Sequence, residues 1–211
     1  MTKPPRVQPM LAVTGRPAGD LATYACETKH DGWRLSISLC SGELTARTRS
    51  GQILQVPALE PIAELGVDVV LDGELVSSSG RSDDFYDVVR NLGRRGNPAA
   101  LAFVAFDVVW HDGQLITDWT YEQRRSLLER LELPAPASVV PRWAGTDLDD
   151  VLAACEAQGV EGVVLKQLSS RYQPGARSRR WRKVKTVAWK QHHAWRRHEH
   201  HPTRQGQHRA S

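Results

Sequence analysis

No apolar run in this chain approaches the ~20 residues that a membrane-spanning helix needs. A secretion signal is missing too: Met1 to Met10 carries Pro4, Pro5 and Pro9 and has no apolar core. A cytoplasmic protein with no membrane contact is therefore expected. Cysteine is scarce. Cys26, Cys40 and Cys155 are odd in number, far apart and in no metal-ligand spacing, which excludes a disulfide scaffold and suits small buried side chains in a reducing compartment. There is no internal repeat. Most of the chain also lacks a charge excess. Residues 188–211 hold five basic residues and one acid, which accounts for the whole net charge of +4. Residues 1–187 are formally neutral, so a nucleic-acid partner must be argued from local patches and not from the isoelectric point.

What is present fits a soluble domain with an appendage: 211 residues, 40% hydrophobic and 25% charged. Ala22–Thr28, Arg34–Cys40 and Glu43–Thr48 read as short strands, with Ser41-Gly42 turning between the last two. Asp72-Gly73 between Val67–Leu71 and Glu74–Ser77 predicts a hairpin. Leu101–Trp110 is the longest apolar run and reads as a buried strand closed by His111-Asp112-Gly113. Thr120 with Gln123 forms a capping box ahead of a helix over Tyr121–Leu131, with Leu127, Leu128 and Leu131 at helical spacing. Thr146 or Asp147 is expected to cap a helix over Leu148–Gln158 that stops at Gly159. A shorter helix is expected around Asp83–Leu92, and strands over Glu161–Lys166 and Trp181–Lys185. Helices and strands mix, with hairpins dominating, so the fold class is α+β.

Chemistry-bearing residues sit at the ends of these elements. Glu27-Thr28-Lys29-His30-Asp31-Gly32-Trp33-Arg34 places a lysine at a strand end, then a turn, then an arginine. Arg49-Ser50-Gly51 follows a strand, and Glu74 puts a carboxylate beside the Asp72-Gly73 pair. Phe106 lies within the long apolar strand. Glu161 and Lys166 mark the two ends of one strand, while Lys183 and Lys185 share a face of another because side chains repeat every two residues.

Lys29-His30-Asp31-Gly32-Trp33-Arg34 matches the K-x-D-G-x-R signature of covalent nucleotidyltransferases, and the later segments resemble that superfamily's other nucleotide-binding motifs in order. More narrowly, the chain resembles the ligase domain of bacterial ATP-dependent DNA ligases, including the end-joining type. Pro9-Met10-Leu11-Ala12, Tyr121-Glu122-Gln123-Arg124-Arg125 and the segment from Tyr172-Gln173-Pro174-Gly175 to Lys185 carry that narrower likeness. The resemblance covers about Val7 to Lys185.

The resemblance implies a nucleotidyltransferase fold of antiparallel sheets flanked by helices. It implies that ATP and Mg²⁺ are used, and that Lys29 becomes linked to AMP before AMP passes to the 5′-phosphate of a DNA nick in repair or recombination. A nucleophilic lysine must be neutral, and Lys166, Lys183, Lys185 and Arg34, with desolvation, are expected to lower its pKa. The three lysines would also hold the reacting phosphate. Glu27 and its neighbours would meet the adenine edge. Arg34 and Glu74 would hold the ribose, Arg49 would sit near phosphate, and Phe106 would stack on the base. Glu161 would bind Mg²⁺, as a hard cation prefers carboxylate oxygen. Asp31 is expected to stabilise the turn or help position metal.

Arg171 to Lys185 contains seven basic residues and no acid, and Arg177, Arg179 and Arg180 are expected to grip DNA phosphates. The partners implied are nicked or broken duplex DNA and an end-joining or OB-fold protein. Residues 1–187 are expected to be the adenylation domain, and 188–211 a basic, His-rich tail without regular structure, too short for an OB-fold. The tail's histidines from His192 to His201 match no structural zinc spacing. The alternatives are an RNA ligase or capping-type enzyme, which shares the lysine motif, and a non-catalytic DNA-binding remnant.

Overall fold

Two sheets divide the molecule, and the chain crosses from one to the other at Lys29-His30-Asp31-Gly32. The computed structural model describes residues 3–77, 84–93 and 95–192. The first sheet has the order β1-β12-β11-β2-β10: Leu11–Thr14 (β1), Tyr24–Lys29 (β2), Arg142–Ala144 (β10), Gly162–Gln167 (β11) and Arg177–Lys185 (β12). The second has the order β5-β4-β3-β6-β7-β8: Trp33–Cys40 (β3), Glu43–Thr48 (β4), Ile53–Leu54 (β5), Val69–Ser77 (β6), Leu101–His111 (β7) and Gln114–Leu115 (β8). Ala137–Val139 (β9) adds to β7. Pairing is antiparallel except for β1 on β12 and β9 on β7. With helices α1 (Asp84–Leu92), α2 (Tyr121–Arg130), α3 (Leu148–Ala157) and α4 (Val187–His192), the architecture is the expected α+β.

Each sheet has its own core. On β3, Leu35, Ile37 and Leu39 are buried while the intervening residues are half-buried, so one face of the second sheet is apolar. That face packs with Leu71, Leu75, Phe103, Val108 and Leu128 of α2. The first sheet buries Cys26, Val163 and Leu165 against Leu148, Val151 and Cys155 of α3. Met10, Val70, Trp110, Tyr172 and Trp181 form a third cluster that joins the two sheets.

The capping box is present: Gln123 N–H donates to Thr120 Oγ1 at 3.3 Å and Thr120 N–H to Gln123 Oε1 at 2.9 Å. Helix α3 follows a 3₁₀ turn over Gly145–Asp147 and has no side-chain cap bond, contrary to expectation. A clearer departure is Asp72-Gly73. It is no hairpin, because β6 runs through it from Val69 to Ser77. The reason is tertiary. A Cβ at Gly73 would fall on the Phe103 ring, and Asp72 is buried against Arg34. Close packing and an ion pair, and no turn, account for that dipeptide. The short helix begins at Asp84, and Asp83 lies outside the described residues. The segment expected to lack periodicity opens as α4, while 193–211, with most of the tail's histidines, lies outside the described residues.

Candidate active site

A cavity of about 270 Å³ opens between the sheets. Glu27, Lys29, Lys166, Arg177 and Lys183 reach it from the first sheet, and Arg34, Arg49, Glu74 and Phe106 from the second. Residues that sequence spreads over more than 150 positions thus meet in one place. The crossover makes this possible. Gly32 passes so close to β6 that a Cβ would meet the Leu75 carbonyl oxygen. That contact sets Lys29, at the end of β2, opposite Arg34, at the start of β3.

Lys29 Nζ donates to Glu161 Oε2 at 2.6 Å, and Lys185 Nζ pairs with Glu161 Oε1 at 2.6 Å. Gly162 pairs with both Lys29 and Lys185 across the sheet, so adjacent strands bring these three charges together. Burial alone pulls the Lys29 ammonium down, but Glu161 and Glu74 outweigh it and the net shift is upward. The expectation of a lowered pKa is therefore corrected, because the Glu161 carboxylate faces the amine at 2.6 Å. Lys183 does move down, through burial and the nearby Lys29 and Lys185. Burial raises Glu161, yet its two lysines prevail and hold it below the usual carboxylate range. His30 is pushed down to about 4 by burial and by Lys29, and its Nε2 lies 3.2 Å from Thr28 Oγ1.

Arg34 is clamped from behind. Its Nε and Nη2 donate to the two oxygens of Asp72 at 2.7 and 2.6 Å, and Nη2 also reaches the Met10 carbonyl at 3.1 Å. Tyr172 Oη donates to Asp72 at 2.6 Å and accepts from Met10 N–H. This buried bracket holds the N-terminal strand over the pocket, and its members Asp72 and Tyr172 went unassigned in sequence. Glu74 is pushed up to about 7 by burial, against the pull of Lys29 and Arg34. The Gly32 N–H donates to its Oε1 at 3.3 Å.

The floor is a second network. Glu27 is buried, accepting from Tyr121 Oη at 2.6 Å and Arg125 Nη1 at 3.2 Å, and pairing with Lys166 Nζ at 2.8 Å. Lys166 Nζ also donates to the Phe106 carbonyl at 2.7 Å. Its ammonium sits 4.7 Å from the Phe106 ring centroid and 4.4 Å from that of Trp181. Burial lowers its pKa, with Glu27 opposing. Phe106 thus carries Arg34 over its ring at 4.6 Å and Lys166 at 4.7 Å. Behind it, Asp107 takes a bidentate pair from Arg124 at 2.7 and 3.0 Å, fully enclosed. Sequence inspection missed this pair. Its signal was the acid directly after Phe106 and two arginines on the helix face that carries Leu127 and Leu128.

The three arginines assigned to DNA do not form one row. Arg177 lines the cavity and donates to the Ala12 carbonyl. Arg180 Nη1 donates to Gln167 Oε1 at 2.6 Å, and Arg179 is exposed. Ser178 and Trp181 are both buried three residues apart, so strand alternation breaks between them. Among the described residues no group of three or more His, Cys, Asp or Glu side chains is gathered as for a metal. No helix there is long and apolar enough to cross a membrane.

Comparison with known proteins agrees with this geometry. Residues 9–185 match the family model described as ATP dependent DNA ligase domain. The chain is 37% identical over 186 residues to the multifunctional non-homologous end joining DNA repair protein LigD of Mycobacterium tuberculosis, covering 86% of this chain and 24% of that protein. It therefore spans about a quarter of the length of the LigD proteins it matches. The crystal structure of the ligase domain of M. tuberculosis LigD superposes with a TM-score of 0.73 at 34% identity, over 85% of this chain and 59% of that one. A mycobacterial DNA ligase D complexed with ATP and MES gives 0.72 at 34% identity, over 85% and 60%.

Proposed function

This chain belongs to the ATP-dependent DNA ligase domain family, and from that membership we propose that it is a ligase's adenylation module, acting on nicked or broken DNA. The observation that carries the proposal is Lys29 Nζ at the wall of a nucleotide-sized cavity, held by Glu161 at 2.6 Å with Lys183 and Lys185 on the next strand but one. ATP fills the cavity, Phe106 stacks on the base, and Arg34 and Glu74 hold the ribose. Glu27 shapes the adenine edge through its neighbours, because its carboxylate is already engaged by three groups. Arg49, Lys183 and Lys185 take phosphate charge. Lys166 positions Phe106 and Glu27 from beneath.

In the first step neutral Lys29 Nζ attacks the α-phosphorus. A P–N bond forms, the bond to the pyrophosphate oxygen breaks, pyrophosphate leaves with that electron pair, and Nζ sheds one proton to solvent. An oxygen of the DNA 5′-phosphate then bonds to the AMP phosphorus as the P–N bond breaks, and Nζ keeps that electron pair and takes up a proton. The 3′-hydroxyl oxygen next bonds to the 5′-phosphorus and loses its proton, while AMP leaves with the electron pair of the broken P–O bond. The raised Lys29 pKa sets a condition on the first step, since the Glu161 charge must be drawn elsewhere before the amine is neutral. The donor set fits Mg²⁺, which keeps most of its waters and uses one carboxylate with substrate phosphates. Glu161 would hold that ion, which supplies charge neutralisation at the phosphates. Residues 1–187 constitute the module in this reading, and an end-joining protein is the proposed partner class.

The test is incubation with α-labelled ATP and magnesium, then denaturing electrophoresis. A labelled band that Lys29→Ala removes is expected, with labelling from ATP and little from GTP. Full labelling of Lys29→Ala overturns the assignment, and stronger labelling from GTP moves the chain to the capping-type class.

A further inference from the structure

A second, larger cavity of about 740 Å³ lies on the second sheet's polar face, beneath the N-terminal segment. The face follows from register. Ser36 pairs with Arg47, Ser38 with Thr45 and Cys40 with Glu43, while Arg34, on the same side of β3, pairs with Glu74 of the nucleotide pocket. One continuous face therefore runs from the pocket to the far end of β3, and Arg49 lines both cavities. From Arg34 to Cys40 the strand extends about 20 Å, at roughly 3.3 Å per residue.

The charges on this groove are unneutralised. Lys3, Arg6, Arg47 and Arg49 line it against the single acid Glu43. Among the described residues, the side chains of Lys3, Arg47 and Arg49 make no ion pair or hydrogen bond, whereas those of Arg34, Arg124, Arg125 and Arg142 each have a carboxylate. Arg6 fastens the groove's rim by donating to the Ser50 carbonyl at 3.0 Å. Serine and threonine hydroxyls lie between the cations. Among the described residues no aromatic side chain lines the groove, and so none there offers a face on which a base can stack. Cations and hydroxyls without aromatics suit sugar–phosphate backbone and confer no sequence preference.

We propose that this groove holds the phosphate backbone of one DNA strand leading away from the reacting phosphate. The proposal rests on the ligase reading for its choice of polyanion, and Arg49 is the point where groove and pocket meet.

The experiment measures binding of the full chain to a nicked duplex by fluorescence anisotropy across a potassium chloride series. The proteins compared are the unsubstituted chain, the double variant Lys3→Gln/Arg47→Gln, and Arg130→Gln, a charge change at the exposed end of α2. For the double variant, affinity at moderate salt should fall about tenfold and the slope of log K against log salt should flatten by roughly one to two units, near 0.9 per phosphate contact. Arg130→Gln should leave the slope in place. An unchanged slope in the double variant overturns the groove, provided its melting temperature matches the unsubstituted chain. Equal flattening by Arg130→Gln also overturns it, since total charge alone would then govern binding. Lysyl-AMP formation by the unsubstituted chain is scored separately. Its absence removes the ligase reading, while the salt slopes still decide whether the groove takes DNA.

Discussion

Two ion-pair clusters lie beside the cavity between the sheets, and they differ in one respect, their access to solvent. In Lys29–Glu161–Lys185 the lysine side chains keep 23% and 24% of their exposure around an enclosed carboxylate. In Asp107–Arg124 the figures are 1% and 0%. Contact distances are alike, 2.6 Å against 2.7 Å. A pair with no solvent has no alternative partner, so either charge alone would be stranded. The half-open cluster can exchange a carboxylate for a phosphate. Short distance therefore does not separate the two clusters; access to an incoming ligand does.

The sharpest break in this comparison is Lys29→Ala. Labelling with ATP is expected to vanish, while the thermal melt stays close to that of the unsubstituted protein, because the lysine is partly solvated and the enclosed Glu161 keeps Lys185 as its partner. A large drop in melting temperature would place Lys29 with the scaffold instead. Asp107→Asn should do the reverse. Breaking the enclosed pair is expected to cost about 3–5 kcal/mol in denaturant unfolding, with labelling retained wherever the protein remains folded. A cost under about 1 kcal/mol would mean that the pair is not a strut.

Phe106 lies between the two clusters. Phe106→Leu keeps most apolar burial and removes the ring, so ATP binding by calorimetry should weaken by roughly 1–3 kcal/mol. Unchanged affinity with a marked loss of stability would assign Phe106 to the core alone.

The smallest expected effect is a pH dependence. Burial lifts Glu74 from its ordinary 4.5 to about 7, so the folded protein holds a proton that the unfolded chain releases across that interval. This contribution favours folding at the acid end and is lost as pH rises from about 4.5 through about 7. Glu74→Gln should flatten that part of the stability profile. A profile unchanged by the substitution would show that the group titrates normally. Ligation chemistry pulls the other way: with Lys29 raised, the labelling rate should climb with pH above neutrality.

That many of the candidate residues gather at one cavity was legible because they are punctuated locally. Lys29, Asp31, Gly32 and Arg34 occupy one turn, and Lys183 and Lys185 alternate on one strand, so type and spacing point to a phosphate-handling face. Asp72 and Asp107 were not legible as partners of Arg34 and Arg124, since nothing local distinguishes a carboxylate that will be enclosed from one that will be solvated. The Asp72-Gly73 dipeptide shows the limit most directly. Its composition favours a turn, and a ring from β7 together with an arginine from β3 keeps it in a strand.

By itself the sequence pointed to the family, the order of the motifs and the α+β class, and it singled out Lys29 as the candidate nucleophile, because all of these are written in residue type and short spacing. Only the tertiary structure decided that Lys29 meets Glu161, 132 residues away, whose charge raises the pKa of the amine. It likewise decided that Arg47 joins a groove running into the nucleotide cavity. Both outcomes depend on which strands become neighbours and in what register. That is settled by apolar faces packing over the whole chain, while the charged groups are carried into place by it.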